Sequence, residues 1–222
     1  MNNLHWMETI LSSVRVSSHA GSWYTADRTE LSSQLNTWLE SCGKNVPNAN
    51  SVRAIIVPNA VTVYCSHHET ERSVLHSPHS CRLFIIRKTR ILRNLLSSYM
   101  LDEKNLFVIS SDFCHWGKRF RYQYYNKSDG AIWQSIEKLD HLGLNAIRSL
   151  KPKSFIKYLE EYRNTICGRR SIGVFLFMID CIRQKQPFNL ELKILNYTQS
   201  NRCQSMEDSS VSYTACALVS RE

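Results

Sequence analysis

At 222 residues the chain can bury one substantial core or at most two small ones. An apolar fraction of 43% with 21% charged residues excludes wholesale disorder. The net charge of +9 is dispersed over Arg82–Arg93, Lys118–Arg121, Lys151–Lys157 and Arg169–Arg170. Without a long basic block it argues for a solvated surface with a taste for anions, and against a nucleic-acid interface.

Asp27 and Glu30 read as an N-cap and its reciprocal acidic partner, opening a helix in which Leu31, Leu35, Trp38 and Leu39 share a face and which Gly43 stops. Val52–Val57 reads as a buried strand ended by Pro58, and Leu83–Ile86 as a second. Ile91–Leu101 is expected to be helical and Leu106–Ile109 a strand. Ile132, Ile136 and Leu139 fit a helical face before Gly143. Ser154 is placed to cap another helix, with Phe155, Tyr158, Leu159 and Tyr162 along its stripe. Gly173–Ile182, apolar on most sides, predicts a helix packed under a sheet. Leu190, Leu192 and Ile194 alternate, as do Val211, Tyr213, Ala215, Ala217 and Val219, so two strands close the chain. Interleaved helices and strands favour an α/β layer architecture.

Eight cysteines form no C-x-x-C pair, and Met1–Val14 lacks the basic start and apolar centre of an export signal. They read as reduced, mostly buried thiols. The longest nearly continuous apolar run, Ile172–Ile182, is too short to span a bilayer, so membrane insertion is not expected. Cys65–Ser80, with four histidines and no periodicity, reads either as a metal-binding tract or as structureless chain.

The stretch from Ser110 to Tyr125, SSDFCHWGKRFRYQYY, carries the chemistry. A buried strand runs into Asp112, Cys114 and His115, and ligands bind beyond the carboxyl ends of such strands. Taken alone, Asp112 is either a ligand or a turn cap, and His115 either a ligand or a donor to a backbone carbonyl. Cys114 reads as a packed thiol.

Six blocks, SHAGSWYT at Ser18–Thr25, RAIIVP at Arg53–Pro58, NLFVISSDFCHWG at Asn105–Gly117, Arg119–Tyr125, NTICGR at Asn164–Arg169 and DSSVSY at Asp208–Tyr213, closely resemble the mediator of cell motility family, usually called Memo. The resemblance implies one domain over residues 1–222, family-like over 16–65 and 95–222, with 66–94 divergent or shortened. It implies a fold related to class III extradiol dioxygenases: α/β, a mixed central β-sheet flanked by helices, here with central strands missing. A family histidine is replaced by Asn59 and a family glycine by Val61. The family's metal cluster maps to Asp112, His115 and Cys167, with His67 as a displaced echo. Copper or iron is the implied metal, and asparagine's amide oxygen is a poor substitute ligand for soft copper(I). The family's peptide-binding positions map to Trp23, Tyr64, His115, Arg119, Arg121 and Cys167.

The function expected from the resemblance is a non-enzymatic signalling adaptor in cell motility. It would bind phosphotyrosine peptides of receptor tyrosine kinase pathways at a vestigial dioxygenase-like site, in the cytoplasm or the nucleus. Two alternatives stand beside it: a copper- or iron-binding redox protein, and a decayed copy without stable function, since lost strands leave unpaired sheet edges.

Overall fold

The computed structural model describes residues 20–22, 24–41, 51–58 and 96–220, and the chain divides into two compact units, Met1–Val46 and Pro47–Glu222. The expectations at Trp23, Gly43, Asn59, Val61, Tyr64, Cys65–Ser80 (His67 included) and Leu83–Ile86 lie outside the described residues, as do the side chains of Trp38 and Leu39. In the first unit, helix α1 (Arg28–Ser41) begins where expected. Asp27 Oδ1 accepts the Glu30 N–H at 2.7 Å. The reciprocal arm is relayed: the Thr25 hydroxyl accepts the Asp27 N–H and donates to Glu30 Oε2. A threonine two residues ahead of the cap thus completes the box.

The second unit is α/β. Its strands are β1 (Val52–Val57), β2 (Phe107–Ser110), β3 (His115–Trp116), β4 (Leu190–Gln199) and β5 (Ser210–Ser220). The sheet is mixed: β1 pairs parallel with β2, while β5 runs antiparallel to β1, β3 and β4. Helices α2 (Ile132–Arg148), α3 (Pro152–Tyr162) and α4 (Arg169–Lys185) supply much of the core. Residues 96–101 are helical, in the second half of the expected Ile91–Leu101 helix. Among the described residues no helix is long and apolar enough to cross a membrane.

Four details differ from the sequence pattern. Strand β2 is shifted by one residue, ending at Ser110. Helix α2 continues through Gly143, because a side chain there would meet the Tyr158 ring at 2.8 Å; this glycine makes room for α3 and does not end α2. Helix α3 starts at Pro152, with Lys151 as its N-cap, and Ser154 lies inside its first turn. Proline suits that position, having a fixed φ and no N–H to leave unpaired. Along the first half of β5 the fully buried face is Ser210, Ser212 and Thr214, whereas Val211, Tyr213 and Ala215 are half-buried. The inward row there is polar.

Among the described cysteines, Cys114, Cys181, Cys203 and Cys216 are buried and Cys167 is exposed.

Candidate functional site

The end of β2 is held in place from several sides. The Ser111 N–H donates to Val57 O at 2.9 Å, Phe113 N–H to Ser212 O at 2.8 Å, and Ser212 N–H to Cys114 O at 2.9 Å. Phe113, Cys114 and Trp116 are fully buried, so the segment is anchored by its side chains as well as by the backbone. Fully burying such groups contributes about 1.5–3 kcal/mol apiece. What remains for chemistry is the side of the strand end carrying Asp112 and His115.

His115 is the most constrained group there. Its Nδ1 lies 3.0 Å from Phe113 O and 3.1 Å from Thr165 O. Both are acceptors, so Nδ1 carries the proton and Nε2 keeps its lone pair in the neutral ring. Nε2 faces Asp112 Oδ2 at 4.0 Å. The carbonyl-donor reading and the ligand reading of His115 are therefore compatible: the carbonyl bonds fix the tautomer that a ligand nitrogen needs.

Cys167 comes to the same strand end from the loop before α4. Its sulfur accepts the Asp112 N–H at 3.1 Å and its thiol points at Asp112 O, 3.7 Å away. Gly168 allows this approach, since a Cβ there would meet Ser111 Cβ at 2.4 Å and Ser110 O at 2.6 Å. The Gly168 N–H then donates to Ser111 Oγ.

Beyond His115 the chain reverses at Gly117, whose N–H donates to Tyr122 O at 2.7 Å. The single 3-10 turn Lys118–Phe120 follows, and Arg121 closes it in the left-handed region at φ 55°. Phe120 meets the His115 ring edge-on at 5.2 Å, and the exposed Arg119 guanidinium lies 4.5 Å above the Phe120 ring. Tyr213, on β5, belongs to this face as well. Burial pushes its phenol up from the ordinary value, the Asp112 charge adds to that, and the Arg119 charge opposes it. The sequence pattern gives Tyr213 only as a member of the alternating last strand and of the DSSVSY block; its place opposite the strand end is a matter of pairing register. On another flank Thr165 and Asn164, with Arg163 and Arg169, border an open cleft of about 670 Å³.

The most buried charge of the unit was missed in the sequence entirely. Asp140 lies on α2 with 0% exposure. Its Oδ1 accepts from Cys114 N–H at 3.2 Å and from the Asn164 amide at 3.0 Å, and its Oδ2 accepts from the Tyr197 hydroxyl at 2.9 Å. Burial raises its carboxyl to about 6, although hydrogen bonds from Ser212, Asn164, Tyr197 and Cys114 all favour the charged form. Burial, with Asp140 nearby, also pushes up the phenols of Tyr158 and Tyr197. The available signal was position: Asp140 follows Ile136 by four residues on the apolar stripe of α2, where a lone carboxylate must be hydrogen-bonded to be tolerated.

Asp112, His115 and Cys167 are thus brought together, with Arg119 beside them; Trp23, Asn59, Tyr64 and His67 lie outside the described residues. Among the described residues no three His, Cys, Asp or Glu side chains converge closely enough to hold a metal ion. Two donors, Asp112 and His115, face each other, while the third is turned to the Asp112 backbone. By themselves the described donors do not fit a copper or iron ion, which calls for a fuller ligand set.

With the geometry in place, comparison with known proteins gives a consistent result. A family model described as "Memo-like protein" matches residues 15–87 and 85–217. Protein MEMO1 of Xenopus tropicalis is 36% identical over 292 aligned positions, covering 92% of this chain and 97% of that protein. Protein MEMO1 of Homo sapiens is 35% identical with the same coverage. Protein memo-1 homolog of Caenorhabditis elegans is 31% identical over 290 positions, covering 92% of this chain and 82% of that protein. These alignments are longer than the whole 222-residue chain, so the relatives carry several tens of residues with no counterpart here.

Proposed function

The chain belongs to the Memo-like protein family, and from that premise we propose that it is a non-enzymatic signalling protein of cell motility that binds phosphotyrosine peptides of receptor tyrosine kinase pathways. The observation that carries this reading is the exposed Arg119 guanidinium stacked on Phe120, which in turn packs on His115. A guanidinium held by its face keeps its N–H edge for phosphate oxygens, which it binds in pairs. Phe120 and Tyr213 offer apolar surface to a tyrosyl ring. The Asp112 carboxylate repels phosphate, which assigns the phosphate to the Arg119 end and the peptide backbone to the His115 end. Arg121 and the cleft bordered by Arg163 and Arg169 add positive potential around it.

The test is a titration with one tyrosine-containing peptide in phosphorylated and unphosphorylated forms. The phosphorylated peptide is expected to bind more tightly. Arg119→Ala should weaken that binding roughly 10–100-fold, the loss of one charge-assisted pair, and leave the weak binding of the other form unchanged. Equal affinity of the two forms for the unaltered protein overturns the reading.

A further inference from the structure

The hydroxyl of Thr165 is bonded to the backbone of His115 on both sides. It accepts the His115 N–H at 2.7 Å and donates to His115 O at 3.0 Å. A single side chain thereby satisfies both main-chain groups of the residue that opens β3, as a neighbouring strand residue would. The carbonyl of the same threonine takes the imidazole Nδ1–H at 3.1 Å. One residue earlier on each segment, Asp140 Oδ1 joins the Cys114 N–H to the Asn164 amide. The two segments are therefore bonded at consecutive positions, Cys114 with Asn164 through the buried carboxylate, and His115 with Thr165 directly. Asn164 is fixed further by its bond to the Tyr158 hydroxyl at 2.7 Å.

We infer that Thr165 is a positioning residue for His115, anchored through Asn164 by Asp140, and that it holds the imidazole as the Nδ1–H tautomer with Nε2 presented beside Asp112. Neutral imidazole has two tautomers, and which one prevails is set by the partner each nitrogen meets. Phe113 O alone is one acceptor at one edge of the ring. Thr165 O is the second, and the hydroxyl clasp sets its position relative to the ring. Apart from the clasp, the 164–166 segment meets His115 at Nδ1 itself. The surface proposed above for ligand binding places the peptide backbone at the His115 end, so this inference rests on that reading for its functional meaning but not for its test.

The test is ¹⁵N NMR of the His115 imidazole in the full chain, at a pH well above the ordinary histidine range, with the signal assigned by its loss in His115→Gln among the eight histidines. The unaltered protein is expected to show Nδ1 protonated and Nε2 bare. Thr165→Ser, which keeps the hydroxyl, should preserve that pattern. Thr165→Val, nearly the same shape, should shift the tautomer ratio toward Nε2–H by about fivefold, the value of one hydrogen bond. An Nε2–H ring in the unaltered protein overturns the inference outright, and so does a folded Thr165→Val protein with an unchanged ratio. Because no ligand is present, failure of phosphopeptide binding leaves this outcome readable. Should Thr165→Val fail to fold, Thr165→Ala and the tautomer of the unaltered protein decide it in the same way.

Discussion

Asp140→Ala is expected to destabilise the second unit by about 3 kcal/mol at neutral pH, and by more near pH 5. The alanine leaves the Cys114 N–H and one N–H of the Asn164 amide buried without an acceptor, at about 1–3 kcal/mol each, while the amide's bond to the Tyr158 hydroxyl remains. Tyr197 has a second outlet, since its hydroxyl also reaches Ser212 Oγ at 3.3 Å. The pH dependence follows from the direction of the shift. Folding raises this carboxyl from 3.8 to about 6, so between those values the folded state holds a proton the unfolded chain has lost. Its contribution is complete below about pH 4 and is lost as pH rises through about 6, amounting to about 3 kcal/mol in all. Asp208 acts in the opposite sense: the N–H groups of Ser205 and Gln204 lower its carboxyl, so its contribution is present above the ordinary aspartate value and fades below it. Chemical denaturation at a series of pH values checks both expectations. Asp140→Asn should flatten the slope between about pH 4 and pH 6, and an unchanged slope would mean the proton is held elsewhere.

Gly117→Ala is the second large effect, expected at about 2–6 kcal/mol. Gly117 sits at φ 124°, ψ 166°, a region essentially reserved for glycine, and an L-residue forced there costs about 1–3 kcal/mol. A Cβ would also meet Asp208 O and Ser209 Cβ at 2.8 Å. The first of these is backbone of the loop leading into β5, so relief means moving a chain segment, at about another 1–3 kcal/mol. The functional consequence is separate. The reversal at Gly117 is what stacks Arg119 on Phe120 and Phe120 against His115. The variant is therefore expected to lose phosphopeptide affinity beyond Arg119→Ala, even at a temperature where it is fully folded. A thermal melt beside the peptide titration separates the two losses. An unshifted melting temperature would show that the turn adapts.

Much of the scaffold could be read from periodicity. The apolar string of β1, broken only by Arg53, and the apolar helix within α4 are strong signals because burial on most sides favours such a composition. The site was legible through the Asp112–Gly117 string, whose members act within a few residues of one another. The Thr165–His115 clasp and the Asp140 anchor were not legible, since they join positions 50 and 26 or 24 residues apart. By sequence alone Asp140 is one more charge in a helix. The inward face of β5 misleads for a related reason. Ser212 and Thr214 are buried by polar partners, Ser212 at the Asp140 carboxylate and Thr214 at Asn196 O, so alternation in hydropathy gives the strand but not which side faces in.

The position of β5 in the sheet has a bearing on how the chain can assemble. It is the common partner of β1, β3 and β4, and its contact with the β1 end spans 169 residues, from Ser51 to Ser220. Such a pairing has high contact order and must close a long loop before it contributes, which slows folding. During synthesis β1 emerges before β2, and among the described strands β2 is its sole partner until nearly all of the second unit has left the ribosome. A chain stopped before Ser210 would leave three strands without their shared neighbour. Nonsense or frameshift changes anywhere upstream are therefore expected to yield aggregating fragments instead of a smaller working protein.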